Sequence, residues 1–207
     1  MRAIRAMFLS LATLGAVSLR APAAPTPADD SGAPQAEAGE FLIAAPEMGD
    51  PRFDHAVILL VQHDSGGAFG LIVNRPVDQE PLAQLLGELG QKTDGASGQI
   101  AIYAGGPVES DIGFVLHTAE YHQPETMSID GKLAVTSSAA VLRDIATQHG
   151  PQKYIFAFGY AGWGPGQLEN ELAHRVWFTA PGDAKLLFDD DPAKLWQDAL
   201  DRRERAL

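Results

Sequence analysis

The sequence "HAVILLVQHDSGGAFGLIVN" (residues 55–74) is the strongest local structural signal in this chain. Its first nine residues are apolar at nearly every position, as in a strand that is covered on both faces. The turn residues "DSGG" (64–67) come next, and a second apolar run follows them. Two such runs joined by a short glycine-containing turn predict a β-hairpin inside a packed domain.

Apolar runs on both sides of this hairpin predict the other strands, at residues 41–45, 99–106, 113–118, 132–136, 153–161, 176–180 and 185–189. Helical spacing of apolar residues, with Pro or Ser at the start, predicts helices at 81–90 and 165–174, one that starts at Ser137 or Ser138 and reaches His149, and a last helix that opens at Asp191-Pro192. The elements do not follow a regular strand–helix–strand repeat. This mixture indicates an α+β fold rather than a doubly wound sheet.

The 207 residues, of which 45% are apolar, are enough for one globular domain with extensions. Residues 1–23 have the pattern of a signal peptide, because Arg2 and Arg5 precede an apolar run that ends in small residues. The run is short for a membrane span of about 20 residues, which leaves a cleaved signal, a weak membrane anchor or a misplaced start codon. Residues 24–40 are rich in Pro, Ala and acids and predict a disordered linker, with the domain at 41–207.

The charge of the chain restricts its partners. There are 15 basic and 27 acidic side chains, so the net charge is -12, which disfavours direct contact with nucleic acid. The absence of cysteine excludes disulfides, thiolate metal sites and a cysteine nucleophile. If the leader is a real signal, the protein is exported to the periplasm or cell envelope, and any membrane contact is through that segment; otherwise it is cytoplasmic.

Four stretches together resemble the YqgE/AlgH family of bacterial proteins: residues 42–76, "GGPV" (105–108), "GFVLH" (113–117) and "GYAGWGPGQLENEL" (159–172). The resemblance implies a single α+β domain whose mixed, bifurcated β-sheet partly curls into a small barrel surrounded by helices. Members of the family are usually taken to be cytoplasmic and are often labelled transcriptional regulators. The resemblance brings no set of catalytic residues with it.

The glycine-rich stretch 159–172 has two interpretations. Its glycines allow a strand to reverse sharply into a helix that begins near Pro165, which makes the stretch a structural corner. Alternatively, Trp163 lies beside free backbone amides, where the indole stacks on a planar ligand or seats a side chain of a partner. The sequence leaves both interpretations open.

The leading hypothesis is a non-enzymatic binding or regulatory module, whose site forms where distant turns converge on one rim of the fold. Its partner is an unknown protein or small molecule, and no cofactor, metal or catalytic residue is predicted. The predicted site residues are Asp50, His63, Asn74, Arg75, Gly105, Gly106, Pro107, Trp163, Gly164, Pro165, Gly166, Gln167 and Glu169.

Two alternatives remain. The first is a small hydrolase or transferase with His63 or His117 as the base and Asp50 or Glu169 as its partner, which requires a histidine in hydrogen-bond reach of a carboxylate in a concave pocket. The second is a transcriptional regulator, which requires a basic stripe. The one dense basic cluster, near Arg202, is interleaved with acids, as in a solvated helix face.

Overall fold

The computed structural model describes residues 35–206, with side chains described through residue 203. The predicted leader and residues 24–34 of the predicted linker lie outside the described residues. Within the described part of the chain, no helix is long and apolar enough to cross a membrane.

The described residues contain ten strands, five α-helices and one turn of 3-10 helix (Pro51–Phe53). The strands are β1 (Glu40–Ala44), β2 (Val57–Asp64), β3 (Gly67–Ile72), β4 (Pro76–Pro81), β5 (Gln99–Ala104), β6 (Val108–Thr118), β7 (Thr126–Ser128), β8 (Leu133–Thr136), β9 (Tyr154–Trp163) and β10 (Trp177–Pro181). The helices are α1 (Leu82–Glu88), α2 (Ala139–Ala146), α3 (Gln167–Ala173), α4 (Ala184–Phe188) and α5 (Leu195–Ala206).

The predicted hairpin is confirmed. Strands β2 and β3 pair antiparallel, with Ile58 opposite Ile72. The Asp64 carboxylate accepts the amide of Gly66 at 2.7 Å and so closes the turn. Because Leu59 and Leu60 are both fully buried, the two faces of β2 lie in different parts of the core, as its continuous apolar sequence predicted.

The sheet branches at β9. Its main path runs β10-β1-β2-β3-β9-β6-β8-β7, while β5 pairs with β9 and with β4. Residues Phe156–Phe158 of β9 pair parallel with β5, and Ala161–Trp163 pair antiparallel with β3. The predicted α+β fold with a bifurcated, curled sheet is confirmed.

Each face of the sheet is covered by helices, because the helices carry apolar stripes. Leu186 of α4 and Leu195 of α5 pack in one cluster, and Leu168 and Leu172 of α3 pack in a second. A third cluster contains the buried leucines of α1 and α2. Helix α3 therefore lies against the end of β9, which places the turn before it at the rim of the sheet.

Helix α4 (Ala184–Phe188) takes the place of the edge strand predicted at residues 185–189. The Asp183 carboxylate accepts the amides of Lys185 and Leu186 at 2.9 and 3.0 Å, and this cap directs the following residues into a helix. The short apolar run fits either structure by its pattern alone. Strand β4 was not predicted because its residues are mostly exposed and lack alternation, and it is held by pairing with β5.

Residues before the predicted boundary at residue 41 contact the domain. Ala36 is buried, and the amide of Gly39 donates to the carbonyl of Leu60 at 2.8 Å. Residues 35–40, which the composition assigned to the linker, therefore pack on the domain. The side chain of Ala36 is buried in the same cluster as Leu60 of β2, although the segment has no apolar periodicity.

Candidate functional site

A cavity of about 420 Å³ opens at the rim of the sheet, where three loops meet. We call it the tryptophan cavity. It contains four of the predicted site residues, Asp50, Pro107, Trp163 and Gln167. The full lining is Met48, Gly49, Asp50, Arg52, Phe53, Pro107, Val108, Gly162, Trp163, Gln167, Glu171, Val176 and Trp177.

The Glu171 carboxylate is the polar centre of this cavity. Its Oε2 accepts the indole N–H groups of Trp163 at 2.8 Å and of Trp177 at 2.7 Å. Its Oε1 accepts the side-chain amide of Gln167 at 2.9 Å. The two indoles meet edge to face, with centroids 5.9 Å apart, and Phe53 packs on Trp177 in the same manner at 5.5 Å. The carboxylate therefore fixes the orientation of both tryptophans.

Glu171 was not among the predicted site residues. Gln167 and Glu171 are four residues apart, so a helix places them on one face. This spacing is the local pattern from which a contact between the two side chains could be predicted. The contact with Trp177 depends on the course of the chain after α3, and no local pattern specifies it.

Asp50 lies at the mouth of the cavity, paired with Arg52. The guanidinium approaches the carboxylate to 2.6 Å, and the same carboxylate accepts the Arg52 amide at 2.9 Å. The side-chain hydrogen bond from Arg52 holds the pKa of Asp50 below its usual value. Since these two charges balance each other, Glu171 supplies the net charge of the cavity lining.

Asn74 and Arg75 do not line the cavity but hold its wall in place. The Asn74 amide accepts the Val57 N–H at 2.9 Å and donates to the His55 carbonyl at 2.8 Å. The Arg75 guanidinium donates to the carbonyls of Arg52 and Asp54. Asn74 and Arg75, at the end of the hairpin, therefore hold the backbone next to the cavity and do not line it themselves.

The predicted glycines shape the backbone around the cavity. A Cβ on Gly106 would lie 2.0 Å from the carbonyl carbon of Tyr160, so the turn before β6 reaches β9 only with glycine at this position. Gly105 approaches the carbonyl of Gly159 in the same way. Because Gly105 and Gly106 lie directly against the backbone of β9, the next residue, Pro107, lies at the rim of the sheet.

One backbone amide of the corner before α3 already has a partner within the domain. The Gly164 amide donates to the side-chain oxygen of Gln167 at 3.1 Å. Gly166 caps the helix in the left-handed conformation, with φ of 73°, directly after Pro165. Helix α3 is short, and its acidic residues oppose an anion.

His63 and Glu169 lie in a different cavity, together with Ala36 and Ser65. The Nε2 of His63 is 3.1 Å from a Glu169 carboxylate oxygen, and its Nδ1 is 2.7 Å from the Ala36 carbonyl oxygen. Both partners are acceptors, so both contacts are hydrogen bonds only when the ring carries two protons.

His117, the other candidate base, is fully buried. Its Nδ1 donates to the Thr118 carbonyl at 2.9 Å, and its Nε2 accepts the hydroxyl of Thr136 at 2.9 Å. Thr126 donates in turn to Thr136 at 2.7 Å, so the polar atoms satisfy one another. Burial lowers the pKa of His117, which keeps the ring neutral.

We expect the buried His117 to make stability depend on pH. Its folded-state pKa lies below the ordinary value of 6.5, so the unfolded chain takes up a proton that the native protein does not. The free energy of unfolding of the wild type, relative to that of His117→Asn, should therefore fall as the pH is lowered below about 6.5. Urea denaturation of both proteins between pH 7.5 and 5 measures this difference. If the free energies of unfolding of the two proteins change equally with pH, the prediction is contradicted.

The described residues contain no group of three or more His, Asp or Glu side chains that could hold a metal ion. Two arginines of the predicted basic cluster contact neighbouring residues of the domain. Arg202 pairs with Asp183 at 2.5 Å, and the Arg203 guanidinium lies 3.8 Å above the centre of the Phe178 ring. The side chain of Arg205 lies outside the described residues.

These features define a class of protein: a single α+β domain whose bifurcated, curled sheet carries an aromatic cavity at its rim. A family model described as AlgH-like matches residues 41–206. The chain belongs to this family, which confirms the resemblance indicated by the four motifs.

Relatives and solved structures agree with this assignment. A UPF0301 protein of Rhodospirillum rubrum is 44% identical over 151 residues, covering 73% of this chain and 79% of the relative. A UPF0301 protein of Methylococcus capsulatus is 43% identical, with 78% and 88% coverage. The solution structure of AlgH from Pseudomonas aeruginosa has a TM-score of 0.67 and 42% identity, with 79% and 87% coverage. The crystal structure of a Corynebacterium diphtheriae protein, DIP2367, has a TM-score of 0.65 at 22% identity, with 82% and 88% coverage, and shares the fold.

Proposed function

We propose that this protein is a non-enzymatic binding module, and that the tryptophan cavity binds a cationic side chain, of lysine or arginine type, from a partner protein. The observation that carries the proposal is the Glu171 carboxylate, held among Trp163, Trp177 and Gln167 in a concave aromatic cavity. A cavity of about 300 to 1,000 Å³ with a few convergent polar groups is the usual form of a binding site.

The chemistry of the cavity favours a cation for two reasons. A carboxylate offers about four acceptor positions, and neutral donors fill three of those of Glu171, so its charge and one position remain for a ligand. The faces of aromatic rings attract ammonium and guanidinium groups by about 0.5 to 2 kcal/mol. The excess of acidic residues over the whole chain adds a long-range attraction for a basic partner.

A binding role is also supported by where the family motifs meet. The first motif contributes Asp50 and Phe53 to the cavity, the second contributes Pro107, and the fourth contributes Trp163. The alternative of a hydrolase or transferase is supported by one contact, because His63 lies 3.1 Å from a Glu169 carboxylate oxygen in a cavity. It has less support than binding, because the other nitrogen of His63 already faces the Ala36 carbonyl and because His117 is fully buried.

The probe for this proposal is Nα-acetyl-lysine methylamide, titrated into the protein while the indole N–H signals are followed by NMR. The signals of Trp163 and Trp177 should shift, because both groups donate to Glu171. The signal of Trp196 should stay in place, since that indole donates to the Ala44 carbonyl outside the cavity. Glu171→Gln should weaken binding by about tenfold, the loss of one charge-assisted contact.

The Nε-acetylated form of the same lysine compound is the neutral control, and it should bind more weakly than the cation. Glu88→Gln is the matched control variant, because it removes one exposed carboxylate on α1, away from the cavity lining. Equal affinity for the charged and neutral compounds, or unshifted Trp163 and Trp177 signals, would overturn the proposal.

A further inference from the structure

A further cavity lies on the opposite face of the sheet from the tryptophan cavity. Tyr160 packs against the core cluster that contains Phe114, whereas Ala161 and Trp163 belong to the cluster that contains Trp177. Successive residues of a strand point to opposite faces, so the two cavities are separate sites. We call this one the barrel cavity.

The barrel cavity is surrounded by six consecutive strands of the sheet. In sheet order, its apolar and amide side chains are Gln62 of β2, Phe69 of β3, Tyr160 of β9, Ile112 and Phe114 of β6, Val135 of β8 and Met127 of β7. So many neighbouring strands surround one space because the sheet curls toward a barrel. The mouths of β-barrels are a common place for small-molecule sites, and the volume of about 340 Å³ is large enough for one.

The apolar part of the lining is largely aromatic. Ile112, Phe114 and Val135 are buried, while Phe69 and Tyr160 are half-buried. The rings of Phe69, Phe114 and Tyr160 have centroids 5.1 to 6.1 Å apart. This lining suits the aromatic or branched aliphatic body of a small molecule, which would be removed from water there.

The polar part of the lining is exposed and rich in acceptors. Glu109, Glu125 and Gln62 are exposed, and Ser137 is half-buried. The Gln62 side-chain amide donates to Asp64 at 2.7 Å, which directs only its N–H group away from a ligand. The lining contains no basic side chain, and no ion pair among the described residues includes either glutamate. The rim therefore carries two uncompensated negative charges.

The irregular start of β6 places one of these charges beside the aromatic rings. The register between β6 and β9 shifts between Val108 and Gly113, and Glu109 has a φ of 47° there. Such bulges occur at the rims of barrels and redirect side chains. The pKa of Tyr160 is raised by burial and further by the charge of Glu109, which indicates that this carboxylate lies near the phenol. A cation at this rim would be attracted by the carboxylate and by the faces of the aromatic rings.

From these observations we infer that the barrel cavity binds a small organic amine, whose aromatic or branched aliphatic body enters the apolar lining while its ammonium group contacts Glu109 and Glu125. An ammonium group donates hydrogen bonds and accepts none, which matches a rim of carboxylate and amide oxygens. The same carboxylates would repel an anion. The inference concerns a second site and does not rest on the proposed function.

The probe is phenethylamine, titrated into the protein while the methyl signals of isotope-labelled methionine are followed by NMR. The Met127 methyl signal should shift, because this side chain lines the barrel cavity. The Met48 methyl lies in the lining of the tryptophan cavity and reports on binding there. The double variant Glu109→Gln/Glu125→Gln should weaken the Met127 response about three- to tenfold in affinity, the loss expected for two exposed ion pairs.

The matched control variant is Glu88→Gln/Asp94→Asn, which removes two exposed carboxylates outside the lining and should bind phenethylamine as the wild type does. Two further compounds separate the parts of the ligand. Phenethyl alcohol keeps the ring without the charge, and ethylamine keeps the charge without the ring. Both should bind more weakly than phenethylamine.

Three results would overturn the inference: an unshifted Met127 signal, equal affinity for phenethyl alcohol, or equal affinity for ethylamine. Glu171→Gln separates this site from the proposed function. It should leave the Met127 response to phenethylamine intact while it weakens the response of Trp163 to the lysine compound. Loss of the Met127 response in that variant would assign the amine to the tryptophan cavity, so the inference would fail and the proposed function would stand.

Discussion

Replacing Gly106 by alanine is expected to destabilise the protein by about 3 to 5 kcal/mol, and the effect is large because the added atom meets backbone. The new Cβ would lie 2.0 to 2.4 Å from three main-chain atoms of Tyr160 and Ala161. Backbone in a paired strand cannot rotate away as a side chain does. Relief of the clash therefore requires β6 and β9 to separate at the rim.

Urea denaturation of Gly106→Ala, followed by far-UV circular dichroism, measures this change. Gly131→Ala is the matched control, because Gly131 also has a positive φ, of 78°, but no atom within 4 Å of an added Cβ. The control should lose only about 1 to 2 kcal/mol from its left-handed backbone. Equal losses in the two variants would mean that the clash with β9 is not the cause.

Replacement of Glu171 by leucine is expected to cost about 2 to 4 kcal/mol, because two indole N–H groups lose their acceptor in a largely dry environment. Trp163 and Trp177 are 7% and 3% exposed, so water reaches these donors poorly. Glutamate and leucine side chains are similar in size, so the missing hydrogen bonds are the main cause of the expected loss of stability. The same variant should lose the NMR response to the lysine compound.

Glu171→Gln separates the two roles of this residue. Its carbonyl oxygen can still accept from the indoles, so the free energy of unfolding should stay within about 1 kcal/mol of the wild type, the net value of one hydrogen bond. Its affinity for a cation should nevertheless fall, since the charge is gone. A glutamine variant as unstable as the leucine variant would show that the negative charge itself holds the tryptophans.

Much of the fold followed from local patterns. The hairpin of β2 and β3 was predictable because its apolar runs and its turn residues are adjacent in sequence. Helix α4 was not, since five apolar and charged residues fit a strand as well as a helix until the Asp183 cap is known. Strand β4 carries no apolar alternation and exists through its pairing with β5.

Part of the candidate site was also predictable from local sequence patterns. Asp50, Pro107, Trp163 and Gln167 were candidates because they lie in or beside turns, where chains present side chains at a rim. His63 and Glu169 were candidates too, but they meet in a neighbouring cavity. The predicted leader, the cellular location and the disfavoured contact with nucleic acid stay predictions.

The sequence by itself determined the family, the α+β class and the glycine turns, because hydrophobic period, turn residues and close backbone contacts are encoded locally. Only the tertiary structure decided that Glu171 joins two tryptophans fourteen residues apart, and that Phe53 packs on the second of them. These contacts join elements that are distant in sequence, and their geometry is set by how the branched sheet packs. No local pattern carries that information.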